Sequence, residues 1–305
     1  MHSFTACRRG LVVLAALLIH ACAQDTNPST TPTGESTGET SSPTPTAGWV
    51  FDHTHSDLDR VPEEWITAAK QRLRIGYGHT SHGSQIVRGI EALARVMGGP
   101  FEVRPQWGSA AGAFFNDSAF DGADDLGSPD RQAWAHATRG LLNRSGGCDR
   151  NVVMWSWCGQ VDGSPQEIQS YLDQMAALER DFPSVRFVYM TGHLDGSGEN
   201  GNVHRRNEQI RAFCRDNAKV LFDFADIESW DPEGRTFSLP LHADDGCNSD
   251  GGNWADEWLA DHPGHELATL ARACDECAHS ETLNCVLKAR VFWWMAARLA
   301  GWDGE

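Results

Sequence analysis

The hydrophobic pattern changes period along the chain, and each change marks an element. Leu73, Ile75 and Tyr77 alternate with their neighbours, which predicts a strand over 73–79. At Ile86, Ile90, Leu93 and Met97 the spacing widens to helical, which predicts a helix over 84–97 stopped by Gly98-Gly99-Pro100. An earlier helix opens at Val61-Pro62-Glu63-Glu64 and runs through Trp65, Ile66 and Ala69. Residues 101–104 alternate and are expected as a short second strand. Residues 105–127, rich in Gly, Asp, Ala and Asn, read as a long loop of the kind usually kept for function. Ser128-Pro129 begins a helix with Trp134, Ala137, Leu141 and Leu142 on one face.

The run 151–157, NVVMWSW, is almost wholly apolar and suits a strand covered on both faces. Ser164-Pro165-Gln166-Glu167 forms a capping box with proline at the first helical position, opening a helix to about 180. A strand at 185–190, a helix at about 203–216 and a strand at 220–224 follow. Residues 231–280 show no clear period. The last helix starts near Ser280, buries Leu283, Leu287, Val291, Trp294, Met295 and Leu299, and ends at Gly301. Strands alternating with helices predict an α/β fold: a three-layer α/β/α sandwich on a mainly parallel, flavodoxin-like sheet. Ligands of such sheets sit beyond the carboxyl ends of the strands. Those ends carry Ser81, Gln160, His193 and Asp226.

Composition divides the chain before the fold begins. Arg8 and Arg9, a short apolar run and small residues make 1–21 an export signal, too short to span a bilayer well. Ile19-His20-Ala21-Cys22 is similar to a bacterial lipobox, which implies lipid attachment at Cys22. Residues 22–48 then read as the anchor and a Ser/Thr/Pro-rich disordered tether, and 49–305 as a single domain. The expected location is the bacterial cell envelope, with membrane contact through the lipid anchor only. A net charge of −17 argues against nucleic acid as a partner. Of nine cysteines, seven lie beyond Cys22, and in an exported protein some should pair.

The candidate chemistry centres on RIGYGHTSHGSQ, residues 74–85. A strand, a glycine turn, reactive side chains and a helix present Ser81 as a nucleophile, with Ser84 capping the helix. His79 and His82 beside it are candidates for binding substrate, as is His193; a metal site formed by the three is a weaker alternative. Cys274, Cys277, His279 and Cys285 have plausible zinc spacing, but export favours disulfides, with Cys277 or Cys274 bonded to Cys285. Asp52-His53-Thr54-His55 holds a His-x-His pair, for which a surface or loop-packing role is expected. Trp107, Trp155 and Trp157 are placed near the site mouth, where they would stack on sugar rings. No glycine fingerprint for a dinucleotide follows the first strand, so no cofactor is expected.

The element order and Gly78-His79-Thr80-Ser81 resemble the SGNH (GDSL) hydrolases over about 70–300. That resemblance implies esterase activity with Ser81 as nucleophile. It implies His279, just before the last helix, as base, with His262 and His265 as rivals, and Asp275 or Glu276 as the orienting acid. It places oxyanion donors at Ser81, Gly108 and Gln160. The family's Asp before the serine and its Gly-x-Asn-Asp block are not present; Cys158-Gly159-Gln160 stands in the second place. The expected substrate is a small-molecule or glycan ester. The alternatives are a non-catalytic surface lipoprotein that binds a glycan or partner, and the zinc domain above.

Overall fold

The computed structural model describes residues 48–305. The signal, Cys22 and all but the last residue of the tether lie outside the described residues. Six strands form one sheet: β1 (Trp49–Phe51), β2 (Ile75–Gly78), β3 (Phe115–Asn116), β4 (Val152–Trp155), β5 (Arg186–Met190) and β6 (Val220–Phe222). Their order is β1-β6-β5-β4-β2-β3 and every pairing is parallel. A small antiparallel pair, β7 (Asn248–Ser249) and β8 (Gly252–Asn253), stands apart.

Side-chain alternation along the strands makes two cores. Ile75, Tyr77, Val152, Met154, Val188, Met190 and Phe222 face one layer. Helices α1 (Glu63–Arg72) and α2 (Ser81–Met97) fill it, together with four later helices: α6 (Phe224–Glu228), α7 (Trp254–Asp261), α8 (Glu266–Ala273) and α9 (Thr282–Leu299). Val153, Trp155, Phe187, Tyr189 and Leu221 face the other, filled by α3 (Ala133–Leu142), α4 (Pro165–Asp181) and α5 (Asn202–Asp216). The fold is therefore the three-layer α/β/α sandwich expected. Among the described residues no helix is long and apolar enough to cross a membrane.

Two close approaches depend on glycine. A Cβ on Gly78 would lie 2.1 Å from the Trp155 ring, so the end of β2 must be bare for that indole to cover it. A Cβ on Gly89 would lie 2.0 Å from the Cys285 carbonyl oxygen, so the absent side chain lets α2 sit directly on α9.

Three expectations change. Residues 99–101 and 104–106 are single 3₁₀ turns rather than a strand, because Pro100 and Pro105 remove ladder donors. The edge strand lies instead at Phe115–Asn116, inside the expected loop, where Phe114 and Phe115 bury their rings against Phe292. The helix expected from Ser128 begins at Ala133.

The chain leaves β2 toward β3 over one face and returns to β4 over the other. The carboxyl ends of β2 and β4 therefore flank the point where the winding reverses, which is where such sheets open a crevice.

Candidate active site

β2 ends at Gly78, and α2 starts three residues later at Ser81. The turn is clamped from the side: Thr80 Oγ1 donates to Asp125 Oδ2 at 2.6 Å, and Asp125 Oδ1 accepts the Gly127 N–H at 2.8 Å. Thr80 does not cap the helix with its side chain. Ser84 does not cap it either; its hydroxyl donates back to the Ser81 carbonyl at 2.6 Å. Among the described residues nothing accepts from the Ser81 and His82 N–H groups, so α2 opens on unpaired donors at the positive end of its dipole.

His279 Nε2 lies 2.9 Å from Ser81 Oγ, across 198 residues of sequence. His279 is exposed and has φ of +62°, a left-handed backbone that β-carbons disfavour. Its loop is held from three directions. Cys277 and Cys285 form a disulfide that brackets it. Gln85 Nε2 donates to the Ala278 carbonyl at 2.6 Å, and the Ser280 N–H to Cys277 at 3.0 Å. Gln85 Oε1 accepts from the fully buried Lys288 Nζ, which is 2.6 Å from Glu228 Oε1. Glu228 Oε2 accepts the Leu194 N–H at 2.7 Å, so one buried chain braces both the His279 and the His193 loops. Burial holds the Lys288 ammonium below its usual range, against the pull of Glu228.

Behind Ser81 three imidazoles stack. His82 lies 3.8 Å from His193, parallel to within 6°, and 4.5 Å from His279 at 16°. His82 Nε2 is 2.8 Å from Asp245 Oδ2, and its Nδ1 is 3.1 Å from Cys158 Sγ. Cys158 Sγ is in turn 3.8 Å from Ser81 Oγ. Burial pushes His82 below the ordinary histidine range, partly opposed by its hydrogen bond to Asp245. Burial works to raise the Asp245 carboxyl, but the hydrogen bond from His82 and the charges of His193, His82 and His279 outweigh it and hold it low. Both directions favour a neutral His82 beside an ionised Asp245. Two imidazolium rings at 3.8 Å would repel by ~4 kcal/mol at an effective dielectric of about 20, so the stack holds only while at most one ring is charged.

His82, His193 and Asp245 present donor atoms close enough for a metal ion. The ring planes do not suit one. An imidazole's ligating lone pair lies in its ring plane, and two parallel planes kept apart by ring contact share no point where an ion can sit.

Several expected site residues lie elsewhere or are spent. Asp275 is paired with Arg95 through two hydrogen bonds, 3.0 and 2.8 Å, and Glu276 with Arg88 at 2.9 Å. Both carboxylates tie the loop to α2 and neither bonds to His279; the carboxylate at the site is Asp245. The Gly108 N–H donates to the Phe115 carbonyl at 2.8 Å and is unavailable to an oxyanion. Gln160 packs its side chain over Gly127 with Oε1 buried and unpartnered, and has no hydrogen bond to the Ser81 group. Trp155 and Trp157 are core: Trp157 donates to the Met190 carbonyl at 3.0 Å and meets Tyr171 edge-on. Trp107 is held by Asp117 at 2.8 Å and by packing on Phe115. His79 bonds to the Thr80 carbonyl at 3.0 Å, leaves Nε2 buried without a partner, and is pushed low by burial. His193 does join the site; its Nδ1 is 2.6 Å from the Leu194 carbonyl and its Nε2 is buried and unpartnered.

The zinc set is not assembled. The disulfide takes Cys277 and Cys285, Cys274 donates to the Glu276 carbonyl at 3.4 Å, and His279 faces Ser81. His262 stacks on Trp258 and His265 caps α8, so neither rival base approaches Ser81. The His-x-His pair packs its loop, as expected: His53 Nδ1 is 2.5 Å from Asp226 Oδ1, and His55 Nδ1 is 2.9 Å from Asp52. Asp226 is thereby committed at the far edge of the sheet. Asp245 and Cys158 are the site residues that sequence reasoning missed. Cys158 follows a buried strand and was legible; Asp245 lies in a stretch without period and was not.

Comparison with protein-family models, curated proteins and solved structures finds no match to this chain.

Proposed function

We propose that this chain is a serine hydrolase acting on acyl esters, with Ser81 as nucleophile and His279 as base. The observation that carries the reading is the 2.9 Å approach of His279 Nε2 to Ser81 Oγ at the carboxyl end of β2. A serine hydroxyl is a weak nucleophile until a base can take its proton. His279 Nε2 takes that proton as Oγ attacks the carbonyl carbon. The tetrahedral oxyanion is held by the first-turn N–H groups of α2, where the helix dipole favours negative charge. Collapse expels the alcohol, which receives the proton from His279. Water activated by His279 then releases the acid. Asp245 supplies the negative charge that favours the transient imidazolium, as an unbonded neighbour rather than as a hydrogen-bonded third member.

The resemblance to SGNH hydrolases belongs to this reading, with α2 amides in place of the Gly and Asn donors. The Cys277–Cys285 disulfide supports an exported protein, since such bonds persist in oxidising compartments. Export and a lipid anchor at Cys22 remain part of the proposal. The burial of Trp155 and Trp157 removes the aromatic argument for a sugar ring, so the proposed substrate class is a short acyl ester without a fixed alcohol.

The test is hydrolysis of p-nitrophenyl acetate and of acetylated sugars by residues 48–305 and by Ser81→Ala. The proposal expects a loss in kcat of at least about a thousandfold in the variant. Equal activity would sink the Ser81 mechanism, and equal inertness on every ester offered would leave a binding role.

A further inference from the structure

We propose that Cys158 is a second nucleophile of the same cleft, with His82 as its base and Asp245 as the positioning carboxylate, and that it takes acyl groups as thioesters. The inference rests on the reading of the cleft as an acyl-transfer site. Its residues, however, are separate from the Ser81–His279 pair.

The geometry assigns the protons. Asp245 is ionised and only accepts, so the 2.8 Å contact places a hydrogen on His82 Nε2. That fixes the tautomer and leaves the Nδ1 lone pair free. It points at Cys158 Sγ, 3.1 Å away, where the thiol donates its S–H. His82 is buried and held neutral, which is the state a base requires. Cys158 is a free, half-exposed thiol at the carboxyl end of β4, so a ligand in the switch-point crevice reaches it. Among the described residues no carboxylate is hydrogen-bonded to His279. The thiol is therefore the better equipped of the two nucleophiles.

The step balances without an outside oxidant or reductant. Sγ attacks the acyl carbon as its proton passes to His82 Nδ1, and an S–C bond forms. The C–O bond to the alcohol breaks, and His82 returns the proton to the leaving oxygen. The acyl group then passes to Ser81 Oγ, 3.8 Å away: His279 takes the serine proton, the C–S bond breaks, and that proton returns to the Cys158 thiolate. Transfer from thioester to oxygen ester runs downhill.

Cys148 supplies an internal control: it is also half-exposed, but among the described residues its sulfur accepts from the Arg150 N–H and meets no imidazole. Limiting iodoacetamide at pH 7 followed by peptide mass mapping reads both cysteines in one molecule. The proposal expects Cys158 to alkylate about tenfold or more faster than Cys148. In His82→Gln and Asp245→Asn that ratio should fall toward one, and Asp245→Glu should restore part of it. If His82→Gln fails to fold, Asp245→Asn decides. In Ser81→Ala, p-nitrophenyl acetate should leave an acetyl group on Cys158 that neutral hydroxylamine removes. A ratio near one in the unaltered protein, or a ratio unmoved by the variants, overturns the proposal. Failure of Ser81 as nucleophile would show only in ester turnover and leave the alkylation ratio intact, so the two failures are distinguishable.

Discussion

Removing the disulfide that brackets His279 separates fold stability from site geometry. Cys277 and Cys285 are eight positions apart, closing a loop of about nine residues in the unfolded chain. On the loop-entropy relation this closure stabilises the fold by roughly 2.6 kcal/mol at 25 °C. For a domain of this size that corresponds to roughly 5–10 °C in Tm. Cys277→Ser/Cys285→Ser should lose about that amount in urea unfolding. The disulfide also restrains His279 in its left-handed backbone, a task shared with the Gln85 and Ser280 bonds and the Asp275–Arg95 and Glu276–Arg88 pairs. Loosening the ring by about an ångström should lower kcat on p-nitrophenyl acetate by roughly ten- to a hundredfold with little change in KM. Both forms are assayed at 25 °C, once near-UV circular dichroism has shown each to be folded. A full loss of stability with unchanged kcat would refute the claim that the bond positions His279. Unchanged stability would refute the loop argument itself.

Other outcomes follow from the same contacts. His279→Gly relieves a left-handed residue and should keep or gain about 1 kcal/mol by urea unfolding while ester turnover is lost. Lys288→Met leaves Glu228 buried without its ion pair and should cost about 3–5 kcal/mol, part of which Glu228→Gln in the same chain should recover. Neutral, buried His79 and His82 take up protons near pH 6.5 only when unfolded, so their contribution is intact above about 6.5 and is lost as pH falls. For His53, burial is outweighed by the Asp226 bond and charge, so its contribution is present below about 6.5 and lost as pH rises. Urea midpoints between about pH 7.5 and 5 should therefore fall with acid less steeply in His82→Gln and more steeply in His53→Gln.

What the sequence made legible follows physical range. Alternation in 73–79 and the unbroken apolar run at 151–157 report burial of each strand's own faces, so they located β2 and β4, and with β2 the candidate Ser81. β3 has two residues, too few for a period, and was hidden in its loop. His279 was reached through a resemblance, and its contact with Ser81 is one the local pattern cannot encode. The adjacent acids misled because proximity in sequence is not proximity in space: α2 carries Arg88 and Arg95, which take Glu276 and Asp275. Asp245 arrives from an irregular segment between a 3₁₀ turn at Leu239–Leu241 and the β7–β8 pair, where nothing local distinguishes it from Asp244. Twelve tryptophans suggested a sugar platform, but Trp155 and Trp157 sit beneath the site as core.

The most direct measurement of the central claim is reaction with a fluorophosphonate, which phosphonylates a serine only when a base activates it. Peptide mass mapping should place the adduct on Ser81, and His279→Ala should slow its formation by at least about a hundredfold. An adduct on another residue, or one on Ser81 that forms equally fast without His279, would contradict the account.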